Sequence, residues 1–174
     1  MDQLSKETII EKLQSGFGDN ILYIEEPYNF LTITIKRESL LEILKFLYND
    51  PYMGFTFLTD ITGIHYPEPN EELGTIYHLH NLRQNFRLRL KTFFPKSDAW
   101  VDSATPVFSG ANWMERETFD FFGIKFLNHP NLKRILNVDD MDYFPMRKEY
   151  ALEDSTRTDK DDTMFGRSKS GDIQ

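Results

Sequence analysis

The chain has 174 residues, a length that fits one domain and leaves little room for two. It contains no cysteine, which excludes a disulfide framework, a thiol nucleophile and any cysteine-ligated zinc or iron–sulfur site held by this chain alone. The formal net charge is −8, which argues against nucleic acid as a partner, because an acidic protein gains no affinity from releasing phosphate counterions.

The first fifty residues predict a helix, a strand and a second helix. The N-terminal MDQLSKETIIEKLQ mixes acids and bases as an amphipathic helix does, with Ser5 as its N-cap and Gly16 as its end, and it lacks the pattern of a targeting peptide. In residues 30–36, apolar and polar side chains alternate as in a strand with Leu31, Ile33 and Ile35 on one face. Residues 38–48 then predict a helix whose apolar stripe consists of Leu40, Leu41, Leu44, Leu47 and Tyr48.

Three β segments follow, at residues 55–66, 75–82 and 86–94, and the short connections between them predict antiparallel hairpins. The last segment alternates cleanly, with Phe86, Leu88 and Leu90 facing inward. A basic row on its other face is explained either by a solvated surface or by docking onto an acidic partner; it consists of Arg87, Arg89 and Lys91.

Two histidines, His78 and His80, share one strand face, which is compatible with a metal site. If the hairpin turns at residues 70–71, Asp60 lies opposite His80. Ordinary hydrogen bonding between strands is the alternative interpretation, and the residues favour it because a third and a fourth ligand are not evident.

A helix is also predicted from Thr105 as N-cap, with Pro106 in its first turn, to a stop at Gly123. Its spacing predicts an i,i+4 ion pair between Arg116 and Asp120 on a solvated face. However, the following FDFFGIKF places bulky apolar residues all round the helix end, which is typical of a buried contact between subunits.

From Lys125 onward no long amphipathic period remains, and single prolines interrupt the chain. We therefore expect a globular domain at residues 1–124 and an extended C-terminal arm at 125–174. The polar, acid-rich residues 151–174 are expected to be disordered in isolation.

Read as one string, WMERETFDFFGIKFLNHPNLKRIL resembles the signature of the thirty-kilodalton subunit, also called the C subunit, of respiratory complex I. The second part of the signature resembles the FPMRKEY stretch, in which Met146 replaces the more usual leucine. The residues that match are Glu115, Arg116, Glu117, Asp120, Gly123, Ile124, Phe126, His129, Pro130, Leu132, Arg134, Pro145, Arg147, Lys148 and Tyr150.

The resemblance implies an α/β (α+β) fold, in which a mixed or antiparallel sheet is flanked by helices and followed by an extended C-terminal arm. It also implies a subunit of a proton-pumping NADH:quinone oxidoreductase, at the cytoplasmic face of a bacterial inner membrane. A protein of this kind has no redox centre and no catalytic residue. NADH, FMN, iron–sulfur clusters and quinone are then bound by other subunits, and the partners are the hydrogenase-like large subunit (the D subunit) and the B and I subunits.

The resemblance further implies that the signature residues serve contacts between subunits and anchor the helix. The cations expected to dock the arm on a neighbouring subunit are Lys133, Arg134, Arg147 and Lys148. The alternative is a free-standing metal-binding or hydrolase domain that uses His78, His80 and Asp60. A purified chain of the second kind would bind metal stoichiometrically.

Overall fold

The computed structural model describes residues 4–150. Its three α-helices are α1 (Lys6–Phe17), α2 (Leu40–Asn49) and α3 (Ala111–Phe122). None of the helices in this part of the chain is long and apolar enough to cross a membrane. The predicted disorder of the final stretch concerns residues 151–174, which lie outside the described residues.

Five strands form the main sheet, namely β1 (Ile21–Glu25), β2 (Thr32–Ile35), β3 (Phe57–Tyr66), β4 (Glu72–Asn81) and β5 (Phe86–Pro95). Their spatial order is β1-β2-β5-β4-β3. Strands β1 and β2 are antiparallel, as are the pairs β3–β4 and β4–β5, whereas β2 and β5 run parallel. Of the two sheet types that the sequence left open, mixed or antiparallel, the structure has the mixed one, and the two predicted hairpins are confirmed.

One face of this sheet forms the hydrophobic core. Alternate side chains of the central strands are fully buried there, among them Tyr77 and Leu79 of β4 and Leu88 and Leu90 of β5. They belong to one cluster with buried residues of all three helices. The intervening side chains of the same strands are mostly half-buried, so the helices cover one face and leave the opposite face open.

The first two helices largely follow the sequence pattern. Ser5 caps α1 as predicted, since its hydroxyl accepts a hydrogen bond from the Thr8 amide at 3.2 Å. The helix does not end at Gly16 but continues to Phe17. In α2 the predicted stripe is wrong in part, because Tyr48 is exposed and Leu41 half-buried. The residues that the helix buries are Leu40, Ile43, Leu44 and Leu47.

The third helix begins later than the sequence predicts. Thr105 and Pro106 lie in a turn, and α3 starts only at Ala111. It stops as predicted at Gly123, which adopts the left-handed conformation (φ 73°) that favours glycine. The chain then pairs two short strands in parallel, β6 (Trp100–Asp102) and β7 (Lys125–Leu127). The expected boundary between residues 124 and 125 thus falls between the buried Ile124 and a paired strand.

Candidate functional site

The signature residues meet where the chain from 128 to 150, called here the C-terminal segment, lies against helix α3. The segment has no helix or strand of its own. It is held by hydrogen bonds to the end of α3, such as the one that the Met146 amide donates to the Phe121 carbonyl at 3.1 Å. This described part of the predicted arm therefore packs on the globular domain. Docking of the arm on partner subunits remains a prediction.

Asp120 is the centre of this packing. Its side chain is fully buried and accepts a hydrogen bond from the Arg134 guanidinium at 2.7 Å. It also accepts from three successive backbone amides, those of Ile135, Leu136 and Asn137, at 2.8–3.0 Å. Burial raises the pKa of Asp120, but the bonds from these amides and from Arg134 lower it more, so it lies well below its usual range. The carboxylate is thus ionised and fixes the turn at 134–137.

The predicted pair between Arg116 and Asp120 is wrong. The Arg116 guanidinium donates instead to the carbonyl oxygens of Lys133 and Arg134, at 3.1 and 3.0 Å. It also lies 5.1 Å from the centre of the Trp113 ring. Arg116 therefore supports the same turn as Asp120, through the backbone carbonyls of the turn rather than through the carboxylate.

The two arginines of the segment, Arg134 and Arg147, also form hydrogen bonds within the chain. Besides Asp120, Arg134 donates to the carbonyl oxygens of Met141 and Tyr143. Arg147 donates to the Phe122 carbonyl at 2.7 Å, and its guanidinium lies 4.6 Å from the Phe144 ring centre. These two side chains fasten the segment to α3, which corrects their interpretation as free docking charges. The other two predicted docking cations, Lys133 and Lys148, are exposed.

Glu115 is held on the opposite side of α3. Its buried carboxylate accepts hydrogen bonds from the Ser103 hydroxyl at 2.7 Å and from the Ala104 amide at 2.6 Å. Burial raises its pKa to about 7, and these two bonds only partly oppose the rise. The His129 imidazole lies 4.0 Å away and donates through Nε2 to the Asn112 carbonyl, since its Nδ1 accepts from the Asn131 amide.

Glycine is required at position 123 by the available space as well as by the backbone conformation, because a Cβ there would overlap the side chains of Arg147 and Phe144.

His65, which the sequence did not single out, fixes the end of the segment: its Nδ1 accepts a hydrogen bond from the Lys148 amide at 2.9 Å. Burial lowers the pKa of His65, so the neutral ring that this bond requires is favoured. No local pattern marks this contact, because 83 residues separate its partners.

The other signature residues differ in exposure: Ile124 and Phe126 are buried in the core, whereas three others lie nearer the surface. Glu117 and Pro130 are exposed, and Pro145 is half-buried. Glu117 lines a groove of about 220 Å³ between α3 and the edge strand β3, together with Asp60, Phe121 and Met146. Large apolar side chains are exposed nearby on the helix and the segment, namely Trp113, Leu136, Val138 and Met146. Such a surface is typical of a protein contact.

The proposed histidine site does not assemble. Strand β3 ends at Tyr66 and β4 begins at Glu72, so the hairpin turns earlier than residues 70–71. The register that starts at this turn runs unbroken to Asp60 and places it opposite His78 rather than His80, which corrects the predicted pairing. His78 accepts a hydrogen bond from Arg89 at 2.9 Å, and His80 bonds to Asn85 at 3.0 Å. Within residues 4–150, no three histidine, aspartate or glutamate side chains are arranged to hold a metal ion.

Comparison with known proteins identifies the family. The family model described as respiratory-chain NADH dehydrogenase, 30 kDa subunit, matches residues 33–156. The C subunit of the NADH-quinone oxidoreductase of Citrifermentans bemidjiense is 39% identical over 148 residues, covering 85% of this chain and 91% of that protein. The C 1 subunit of the same enzyme in Rhizobium meliloti is 41% identical over 140 residues, covering 80% of this chain and 69% of that protein.

A solved structure agrees with this result. The trypsin-resistant fragment (1-134) of Nqo5 is 30% identical, with a TM-score of 0.61, over 72% of this chain and 98% of the fragment. The fold, the match over most of the chain and the identity to the curated relatives all lead to one assignment. The chain belongs to the family of 30 kDa subunits of the respiratory-chain NADH dehydrogenase.

Proposed function

We propose that this chain is a structural, non-redox subunit of the peripheral arm of a proton-translocating NADH:quinone oxidoreductase. It supports electron transfer from NADH to quinone, while other subunits bind NADH, FMN, the iron–sulfur clusters and quinone. Its relatives are named as C subunits of this enzyme. The alternative of a free-standing metal-binding or hydrolase domain is not supported, because His78, His80 and Asp60 do not form a site and the family is a different one.

The observation that carries the structural role is the use of the signature charges. Four of these charged side chains hold the C-terminal segment against α3, namely Asp120, Arg134, Arg116 and Arg147. This packing leaves three large apolar side chains, Trp113, Leu136 and Val138, between 63% and 65% exposed. A surface of this kind needs a neighbouring protein to cover it.

We propose the hydrogenase-like large subunit, the D subunit, as the neighbour of this surface, with the B and I subunits also in contact with the chain. The complex then holds the chain at the cytoplasmic face of the inner membrane, without a membrane anchor in the described residues. Glu117, Pro130 and Lys148 are exposed signature residues and are proposed as direct contacts. The buried signature residues act by positioning this surface, and none of them is assigned a catalytic role.

The test replaces Arg116 in the intact enzyme. Arg116→Ala removes both bonds to the turn at 133–134, so we expect less assembled complex and a proportional loss of NADH:quinone activity. NADH oxidation by an artificial acceptor serves as the reference. The control is Arg83→Ala, because Arg83 is exposed and its side chain makes no ion pair in the described structure. Normal assembly with a selective loss of quinone reduction would contradict the structural role and indicate direct participation in the quinone chemistry.

A second measurement addresses the chain itself. The refolded chain is expected to contain no stoichiometric zinc or iron and no flavin absorbance. Stoichiometric metal would contradict the assignment of all redox groups to other subunits and would favour a site at His78 again.

A further inference from the structure

The outer face of the main sheet, opposite the core, carries an ordered array of polar and aromatic side chains. Strand register places Asp60, His78 and Arg89 in one row across β3, β4 and β5, and His80 beside Arg87 in the next row. These side chains are half-buried or exposed, whereas those between them point into the core. Arg87 and Arg89 lie on β5, the middle strand of the five.

Arg89 is held in a fixed orientation. Its Nε donates to His78 Nε2 at 2.9 Å, and its guanidinium lies 4.6 Å from the centre of the Phe30 ring. Phe30 in turn meets the His78 ring edge-on, with 6.0 Å between ring centres. The two terminal nitrogens of Arg89 have no acceptor among residues 4–150. A guanidinium fixed by stacking, with its terminal nitrogens free, is suited to bind a carboxylate through two parallel bonds.

The charge balance on this face distinguishes Arg87 and Arg89 from their neighbours. Lys91, the third cation of the row, is paired with Glu25 at 2.8 Å. Arg87 is exposed, and neither it nor Arg89 forms an ion pair within the described residues. Asp60 lies two strands from Arg89, a distance of about 10 Å, with His78 between them. Its Oδ2 is 3.7 Å from His78 Nδ1. Burial and the charge of Arg89 lower the pKa of His78, so this ring adds no charge near neutral pH.

Two exposed tyrosines lie at the β1 side of the sheet, and the strand register places one of them, Tyr23, in the row of Lys91. Tyr23 of β1 is 61% exposed, and Tyr28 is fully exposed in the turn that precedes Phe30. The Lys6 ammonium group spans that turn, since it donates to Glu26 at 2.7 Å and to Asn29 at 2.5 Å. Tyrosine and arginine are among the residue types that contribute most to binding in protein interfaces.

We propose that this outer face, defined by Tyr23, Phe30, Arg87 and Arg89, binds a carboxylate-bearing segment of another subunit of the enzyme. The charges of this face are complementary to a carboxylate: Arg89, held by His78 and Phe30, and the exposed Arg87 form no ion pair within residues 4–150, on a chain whose net charge is −8. Arg89 and Arg87 receive the carboxylates, and the aromatic rings pack against the stems of the bound side chains. This inference rests on the proposed function, and it concerns a surface on the opposite side of the sheet from the core.

The experiment uses the purified complex with an Arg87→Lys variant, which keeps the charge and introduces a reactive amine. A water-soluble carbodiimide joins amines to carboxylates only in direct contact. We expect an amide bond between position 87 and an aspartate or glutamate of another subunit, identified by mass spectrometry. We also expect the amine to react roughly tenfold more slowly with an acetylating reagent in the complex than in the free chain.

A charge reversal provides the second measurement. Arg89→Glu places like charges together and is expected to lower recovery of the chain with the complex roughly tenfold or more. Lys45→Glu on the exposed face of α2 is the matched control and is expected to leave recovery unchanged. Equal acetylation in both states, or cross-links only to this chain itself, would overturn the inference. In that case co-purification with the complex would still support the proposed function, whereas failure to co-purify would refute the function itself.

Discussion

Replacing Asp120 by alanine tests the central contact of the C-terminal segment. The carboxylate accepts five hydrogen bonds: from the Arg134 guanidinium, from three backbone amides and from the Asn137 side chain. Each bond to a charged group contributes about 1.5–3 kcal/mol. Their sum is not the expected loss, because the segment can detach and its amides then bind water.

The expected loss is about 3–5 kcal/mol in the free energy of unfolding, the cost of breaking a buried ion pair by removing one partner. The Arg134 side chain is only 9% exposed, so the variant leaves its charge nearly buried without a carboxylate. Urea unfolding of the full chain at pH 7, followed by tryptophan fluorescence, measures the loss. Asp140→Ala is the control, because Asp140 is exposed in the same segment; its effect is expected to stay within about 0.5 kcal/mol.

The pH dependence gives a second check on the same contact. The folded pKa of Asp120 lies far below the unfolded value of about 3.9, so its contribution is fully present above pH 4 and is lost as the pH falls further. The difference between wild type and Asp120→Ala is therefore expected to be constant from pH 5 to 8 and to shrink below pH 4. A loss under 1 kcal/mol at pH 7, or a difference that persists unchanged at pH 3, would refute the reasoning.

Two further predictions concern the interior. Because the folded pKa of Glu115 is raised to about 7, folding takes up a proton, and wild-type stability falls as the pH rises from about 4.5 to 7. Glu115→Gln is expected to flatten this dependence in urea titrations and to exceed wild type in stability at pH 8; parallel pH profiles would contradict it. Gly63→Ala places a methyl group against the Phe122 ring and is expected to cost about 1–3 kcal/mol in thermal unfolding. Gly16→Ala, in open space within α1, is expected to stabilise by about 0.5–1 kcal/mol, and equal effects would show that the contact at Gly63 is not tight.

The features that the sequence determined depend on nearby residues. The alternation in residues 86–94 defines which face of β5 is buried, because neighbouring side chains of a strand point to opposite sides. The end of α3 at Gly123 follows from the left-handed conformation that terminates helices. The signature string identified the family, since its spacing spans both α3 and the C-terminal segment. Strand β1 was not predicted, because it is a five-residue edge strand without clear alternation.

Only the tertiary structure decided the partners of the charged residues. An exposed i,i+4 pair between Arg116 and Asp120 would contribute only about 0.3–0.5 kcal/mol. The turn at 134–137 instead offers the buried Asp120 carboxylate a guanidinium and three amides, so this long-range contact prevails. Likewise, the position of the turn between Tyr66 and Glu72 decided that Asp60 lies opposite His78 rather than His80. A sequence pattern shows which side chains share an element, but the partner of a buried charge depends on which unsatisfied donors the folded chain brings to it.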